Sequence, residues 1–399
     1  MRRAQPYHRL RHVFQTDAIW WRFYQAHKDD IRPAVVDAMV KMFACGTPAM
    51  GGRSYRCENP DCPHVKHIPF TCHGKSCTTC GNKATAQWVS FQQATLPQTT
   101  WQHITFTFPS EFWPLFLANR WMLNPLSRLA AQACLAICKQ RRVVPGLFAV
   151  LHTHGRALGW HPHLHVSITA GGLTDEGHWK PVSFHQKTLM KRWRYRLIKW
   201  LRQHYGEYAF PDSLQAAGES QKSWAAFLNT QYQRPWHVHL AEPTHDATRT
   251  LNYLCRYVKR PVVSYSRLKH YGENEVAYVY RSHVTKRQET KVFNAMDFIR
   301  HFIMHIHDRH FRVIRYYGFL ANRVRREALP RVYAALNQRS SLVAQPVTYA
   351  SMLKQFVNLD PFECLLCKGK MLVSGIRFGK TLSQLRHDHE NLATLRPCW

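Results

Sequence analysis

Apolar side chains recur along this chain with two periods, and the switches between them predict its elements. Between residues 16 and 45 they return every three or four positions, which predicts two helices. Thr16-Asp17 reads as the cap of the first, and Pro33 sits near the start of the second, where its missing N–H costs nothing. Cys45-Gly46 ends the second helix, and a turn-rich run follows. Residues 55–82 lose the periodicity. They hold five of the chain's 12 cysteines, which suggests a small module stapled by metal.

Beyond this module the period shortens to two. His103 to Phe108 reads as a strand ended by Pro109, and Leu147 to Thr153 and His163 to Thr169 read as two more. A mostly helical stretch to about residue 141 separates the first from the others. Residues 187–202 return to the helical period. Leu189, Trp193, Leu197 and Trp200 form the apolar stripe, and seven Lys/Arg without an acid form the other face. Residues 206–235 read as irregular connection, Trp236 to Leu240 as a strand, and Thr248 to about Lys259 as a helix ended before Pro261.

Charge then narrows the function. In 399 residues, 55 Lys/Arg against 24 Asp/Glu leave a net charge of +31. Such an excess repels itself unless a polyanion neutralises it, so nucleic acid is the first candidate partner and an anionic membrane surface the second. At 45% hydrophobic and 13% aromatic residues, wholesale disorder is excluded. No apolar run reaches the roughly 20 residues of a membrane span, and the basic start lacks the apolar stretch of a secretory signal. The expectation is a cytoplasmic, nucleoid-associated protein of bacterial type, whose cysteines are metal ligands or plain thiols. Residues 281–331 add 12 Lys/Arg against four acids, interleaved with Phe311, Tyr316, Tyr317 and Phe319. Single-strand binders use this mixture when rings stack on bases above a cationic groove.

Three constellations carry chemistry. In His161-Pro162-His163-Leu164-His165, strand alternation puts His163 and His165 on one face and Leu164 in the core. Two adjacent imidazoles can share one divalent cation. A hairpin centred near Leu158-Gly159 would set His152 opposite His165 and offer a third ligand, with His239 of a similar His-Val-His run as its rival. In the predicted helix Thr248–Lys259, Tyr253 and Tyr257 lie one turn apart with Arg256 adjacent. A phenolate can attack a phosphodiester phosphorus and form a covalent phosphotyrosine. Finally, Cys57-x4-Cys62 and Cys77-x2-Cys80 offer four thiolates that suit Zn²⁺, with Cys72 as substitute. Cys364-x2-Cys367 has no obvious second pair, though His387, His389 and Cys398 could complete it. The His-x-Glu and Pro-Cys-x2-Cys runs of a zinc deaminase are absent.

In order, Phe106-Thr107-Phe108, His163-Leu164-His165 and Tyr253-Leu254-Cys255-Arg256-Tyr257 resemble the three motifs of HUH endonucleases. The cysteine module ahead of them and the basic run Arg315 to Arg323 behind them narrow the resemblance to the two-tyrosine HUH transposases of rolling-circle insertion sequences. The resemblance implies an α+β fold: a ferredoxin-like antiparallel sheet with helices, preceded by a small zinc-binding module. It implies Mg²⁺ or Mn²⁺ at His163 and His165, Zn²⁺ at the cysteine module, and Tyr253 and Tyr257 as nucleophiles. Its substrate would be single-stranded DNA, both element ends and target, with no membrane or small-molecule partner. Arg256, Arg315 and Arg323 are the candidate DNA contacts. The Gln-type ligand that some HUH enzymes place four residues after the nucleophile is Pro261 here, so the third ligand must come from elsewhere. The expected organisation is a helical segment at 1–54, the zinc module at 55–95, the catalytic domain at 96–270, a basic DNA-binding region at 271–360 and a Cys-bearing tail at 361–399. An HUH replication initiator or relaxase, or a non-enzymatic zinc DNA-binding protein, remains the alternative.

Overall fold

A computed structural model describes residues 9–247, 261–272, 274–282, 284–339 and 360–394, with 347, 348, 350, 351, 354 and 358 between them. Its strands, in chain order, are β1 (Gly51–Cys57), β2 (Val65–Pro69), β3 (Trp101–Phe106), β4 (Gly146–His154), β5 (Trp160–Thr169), β6 (Gly171–Leu173), β7 (Trp179–Pro181), β8 (Val238–Leu240), β9 (Leu268–Gly272), β10 (Glu275–Arg281), β11 (Gln288–Asn294), β12 (Ile314–Gly318) and β13 (Met371–Phe378). The fold is α+β. Its centre is a five-stranded antiparallel sheet ordered β12-β4-β5-β3-β8.

Alternation assigns the two faces of this sheet. Ile104, Phe106, Leu147, Ala149, Leu151, Leu164, Val166 and Ile168 point one way into the largest core. They meet the helices Leu123–Gln140 and Gln186–Gln203, the latter through Leu189, Trp193, Leu197 and Trp200. The basic helix therefore lies on the apolar face, and its cations point away from the sheet. On the opposite face Phe148 and Val150 pack with Trp88, Trp101, Phe319 and Val332. Beyond them that face turns polar, because His103, Thr105, His152, His163, His165 and Ser167 occupy the same alternating positions.

A second core joins the two ends of the chain. Helices Ile19–His27 and Pro33–Ala44 bury Trp20, Phe23, Met39, Val40 and Phe43. Against them pack Leu385, Leu392 and Ala393 near the C-terminus, and Phe298 and Phe302 of the helix Ala295–Ile303. Trp20 Nε1 donates to His389 Nε2 at 2.7 Å. Residues 361–394 thus pack into the N-terminal helices, and β13 pairs with β1 in a second sheet ordered β13-β1-β2.

Local expectations changed in two places. Thr16 Oγ1 donates back to His12 C=O at 2.8 Å, while Asp17 and Ala18 take positive φ. These residues end the helix Arg9–Gln15 and do not cap the next one. The stretch 206–235 carries a regular helix, Gln221–Thr230, started by a reciprocal Ser220–Ser223 capping box that buries Trp224 and Leu228.

Candidate functional site

Strands β4 and β5 bring His152, His163 and His165 together, with one ligand-capable atom of each within 4.8 Å of the others. The register differs from the sequence expectation by two residues: His152 stands opposite His163, and Val150 opposite His165. A bulge between His152 and His154 and the tight loop Gly155–Gly159 cause the shift. In that loop Leu158 takes φ +62° and is fully buried. Because the shift is even, every His stays on its face. His239 stands exposed on β8 opposite Thr105, outside this group.

Hydrogen bonds orient the imidazoles. His163 Nδ1 lies 2.8 Å from His161 C=O and donates to it, which leaves Nε2 as an acceptor facing His165 Nε2 at 3.2 Å. His165 Nδ1 lies 3.1 Å from His103 Nε2, and His103 Nδ1 lies 3.2 Å from Ser167 Oγ. With His165 Nδ1 donating along that chain, its Nε2 keeps the lone pair that binds a metal. Burial, followed by neighbouring His152, lowers His163 to about 3 and pushes His165 well below the ordinary imidazole value. His163 and His165 are therefore neutral near pH 7, the state in which imidazole binds a metal. Ligand distances of about 2.0–2.2 Å at right angles put two nitrogens roughly 3 Å apart. The 3.2 Å between the two Nε2 atoms fits a shared cation.

In the sequence His103 reads as an ordinary strand residue. Its position two before Thr105, in register with Ser167, makes it the support of His165. Removing such a support typically costs 10- to 100-fold in metal affinity. His103→Ala is expected to weaken Mn²⁺ binding by about that factor, read by titration of the ion's magnetic resonance signal.

A cavity of about 420 Å³ opens beside His152 and His154. Its other walls are His305, His307, Val262, Lys75 and Cys72. Tyr253, Tyr257 and Arg256 lie outside the described residues. Arg315 pairs with Ala149 and reaches Asn124 Oδ1 at 3.1 Å, so it sits on the helix-covered face, opposite the His group. Arg323 is exposed on the turn before the helix Arg325–Ala335. Tyr316 accepts from Trp88 Nε1 at 2.7 Å, and Phe319 is 1% exposed, so these two rings belong to the core.

The cysteines correct the expected set of four. Cys57 and Cys62 do not meet Cys77 and Cys80. Cys77 and Cys80 gather with Cys45 and Cys72, and Cys57 and Cys62 gather with Cys364 and Cys367. The reason is topological. Cys57 ends β1, whose neighbour β13 brings the C-terminal Cys-x2-Cys turn to it. Cys77 and Cys80 open the helix Thr78–Thr95 beside Cys45, which closes the helix Pro33–Ala44. In the first group Sγ separations are 3.6 Å (Cys45–Cys80), 3.6 Å (Cys72–Cys80) and 3.7 Å (Cys45–Cys77). A tetrahedral ion with bonds of about 2.3 Å sets its sulfurs about 3.8 Å apart. Donation from Cys45 and then Cys72 holds Cys77 and Cys80 below the ordinary thiol value. The helix N-terminus at which they sit acts in the same direction. His387 and His389 do not complete the Cys364–Cys367 pair: the first is exposed and the second accepts from Trp20. Cys398 lies outside the described residues.

Two family models match the chain. A family model described as "Transposase zinc-binding domain" matches residues 17–108, which include all of the first cysteine group. A second, described as "Putative transposase", matches residues 146–328, which include the His group. The transposase for insertion sequence element IS801 of Pseudomonas savastanoi pv. phaseolicola is 39% identical over 97% of this chain and 94% of its own length. The chain belongs to the IS91 family of insertion-sequence transposases. A second relative, putative transposase y4qJ of Sinorhizobium fredii (strain NBRC 101917 / NGR234), is 28% identical over 90% of the chain and 93% of its own length. No solved structure matches. As a transposase the protein acts on DNA, and zinc is the metal of its N-terminal domain. Among the described residues no helix is long and apolar enough to cross a membrane.

Proposed function

We propose that this transposase cuts and rejoins single-stranded DNA with Tyr253 and Tyr257 as nucleophiles, in transposition of the rolling-circle type. The observation that carries the reading is the buried group of three imidazoles beside an open cavity. A divalent cation held by His152, His163 and His165 would polarise the scissile phosphate and offset the charge that develops on it. These nitrogens suit Mg²⁺ poorly, since that ion prefers oxygen, so the DNA phosphate itself contributes to its affinity.

The flanks of the tyrosine segment support its role. Ala247, before it, packs with Trp101, Phe148 and Val150 on the His-bearing face. Val262, after it, lines the cavity with His152. A phenol there loses its proton, its oxygen bonds to phosphorus, and the P–O3′ bond breaks as the 3′ oxygen takes up a proton. The product is a 5′-phosphotyrosine and a free 3′-OH. One phosphoester replaces another, so the bond energy is kept and the strand can be passed on. Two phenols four positions apart in the sequence would allow two such transfers in succession.

The substrate preference is testable. The protein is incubated with single-stranded element ends and Mg²⁺ or Mn²⁺, then run on a denaturing gel. A covalent protein–DNA band is expected with the single strand, and none with a fully paired duplex of the same sequence. Equal adduct on the duplex, or none on either, would contradict the reading.

A further inference from the structure

We infer that Cys57, Cys62, Cys364 and Cys367 form a second structural zinc site, which closes the chain by clasping its C-terminal hairpin to the N-terminal sheet. The four sulfurs come from points about 300 residues apart, with Cys62 and Cys364 separated by 302 positions. Even so, Cys57 and Cys367 approach to 3.3 Å and Cys62 and Cys364 to 3.6 Å. All four lie within 4.8 Å of one another. These spacings are close to the tetrahedral edge of about 3.8 Å for a Zn–S₄ site.

The backbone around them folds back onto the sulfurs, of which Cys57, Cys62 and Cys364 are buried and Cys367 is exposed. Cys367 N–H points to Cys364 Sγ at 3.5 Å, and Lys368 takes the left-handed conformation that turns the chain back. Cys364 N–H then bonds Gly369 C=O at 2.7 Å, and Glu58 N–H bonds Lys370 C=O at 2.9 Å. His64 Nδ1 lies 3.1 Å from Cys364 Sγ as an outer donor.

The sheet has no other adequate core. Its buried cluster is Tyr55, Cys57, Cys62, Cys364 and Met371, with Ile68 packed against it. Along β13, Leu372, Val373, Ile376 and Phe378 are 55–89% exposed. Three strands with so little buried carbon need a metal to hold them. Cys57 and Cys62 fall within the zinc-binding match at 17–108, but Cys364 and Cys367 lie beyond both matches, so neither contains the whole site.

The test uses the purified, reduced full chain. Zinc is removed stepwise with a chelator, and alkylated cysteines are mapped by mass spectrometry at each step. The His group holds no thiol and does not enter this readout. Before removal, all eight clustered cysteines are expected to be protected. Cys57, Cys62, Cys364 and Cys367 should then become reactive together as one zinc ion leaves. Alkylation of Cys364 and Cys367 with no loss of zinc, while Cys57 and Cys62 stay protected, would overturn the site. As a second arm, Cys364→Ser/Cys367→Ser should lose one zinc ion per chain and release the hairpin to limited proteolysis. Full zinc retention in that variant would equally overturn it.

Discussion

His163→Ala and His165→Ala are each expected to reduce DNA cleavage by about three orders of magnitude or more, while folding and salt-sensitive DNA binding persist. A bound cation contributes several kcal/mol of charge stabilisation at a reacting phosphate, and each 1.36 kcal/mol is about tenfold in rate. Neither side chain belongs to an apolar core. The cores are built from the alternate residues, Leu164 and Val166 on the opposite face and Phe148 and Val150 further along the same one. Alanine therefore removes a ligand without removing packing carbon. DNA affinity rests on the +31 net charge, which the substitutions leave untouched. Cleavage assays in Mg²⁺ and Mn²⁺, with circular dichroism as the folding control, decide the matter. Wild-type cleavage by either variant would remove the His group from the chemistry. Unfolding of both would make these residues structural.

Cys45→Ser should have the largest effect on stability. Cys45 is fully buried where the helix Pro33–Ala44 meets the start of Thr78–Thr95, inside the core that also holds Leu385 and Leu392. Structural zinc contributes about 10–16 kcal/mol of apparent binding free energy at neutral pH, most of it folding free energy. That matches or exceeds the roughly 5–15 kcal/mol stability of a whole domain. The variant should lose one zinc ion per chain and melt at the N-terminal helices well before the central sheet. Zinc analysis combined with differential scanning calorimetry reads both effects. Unchanged zinc content would show that Cys45 is not a ligand.

Local pattern made much of this visible before any fold was known. Alternation put His163 and His165 on one face of a strand, and a stripe of Leu and Trp marked the helix Gln186–Gln203. What local pattern does not carry is the pairing of distant segments. The spacing of Cys57–Cys62 and Cys77–Cys80 identifies pairs of thiolates. Which pairs share an ion depends on β1 meeting β13 and on where one helix ends beside another. Cys45 reads in sequence as a helix stop, because nothing nearby shows that a second helix starts against it. His103 is similar: its role comes from facing Ser167 and His165 across a strand pair. The β4–β5 register departs by two residues from that of a hairpin centred near Leu158-Gly159, because a bulge between His152 and His154 and the tight Gly155–Gly159 loop shift the pairing. A run of cations likewise reports charge but not direction, so neither the basic helix nor Arg315 could be assigned to a face of the sheet in advance.

The most direct test of the account locates the covalent bond. Single-stranded element DNA is incubated with the wild-type protein and Mn²⁺, the adduct is digested, and the DNA-linked peptide is sequenced by mass spectrometry. A 5′-phosphate is expected on Tyr253 or Tyr257, and no adduct with Tyr253→Phe/Tyr257→Phe, which keeps its DNA binding. Two rival tyrosines are already engaged. Tyr265 Oη lies 2.9 Å from Thr79 Oγ1, burial raises its pKa, and Tyr316 Oη accepts from Trp88 and Gln92. A phosphate found on Tyr265, Tyr316 or Tyr317, or an adduct that survives in the double variant, would contradict the paired-tyrosine mechanism.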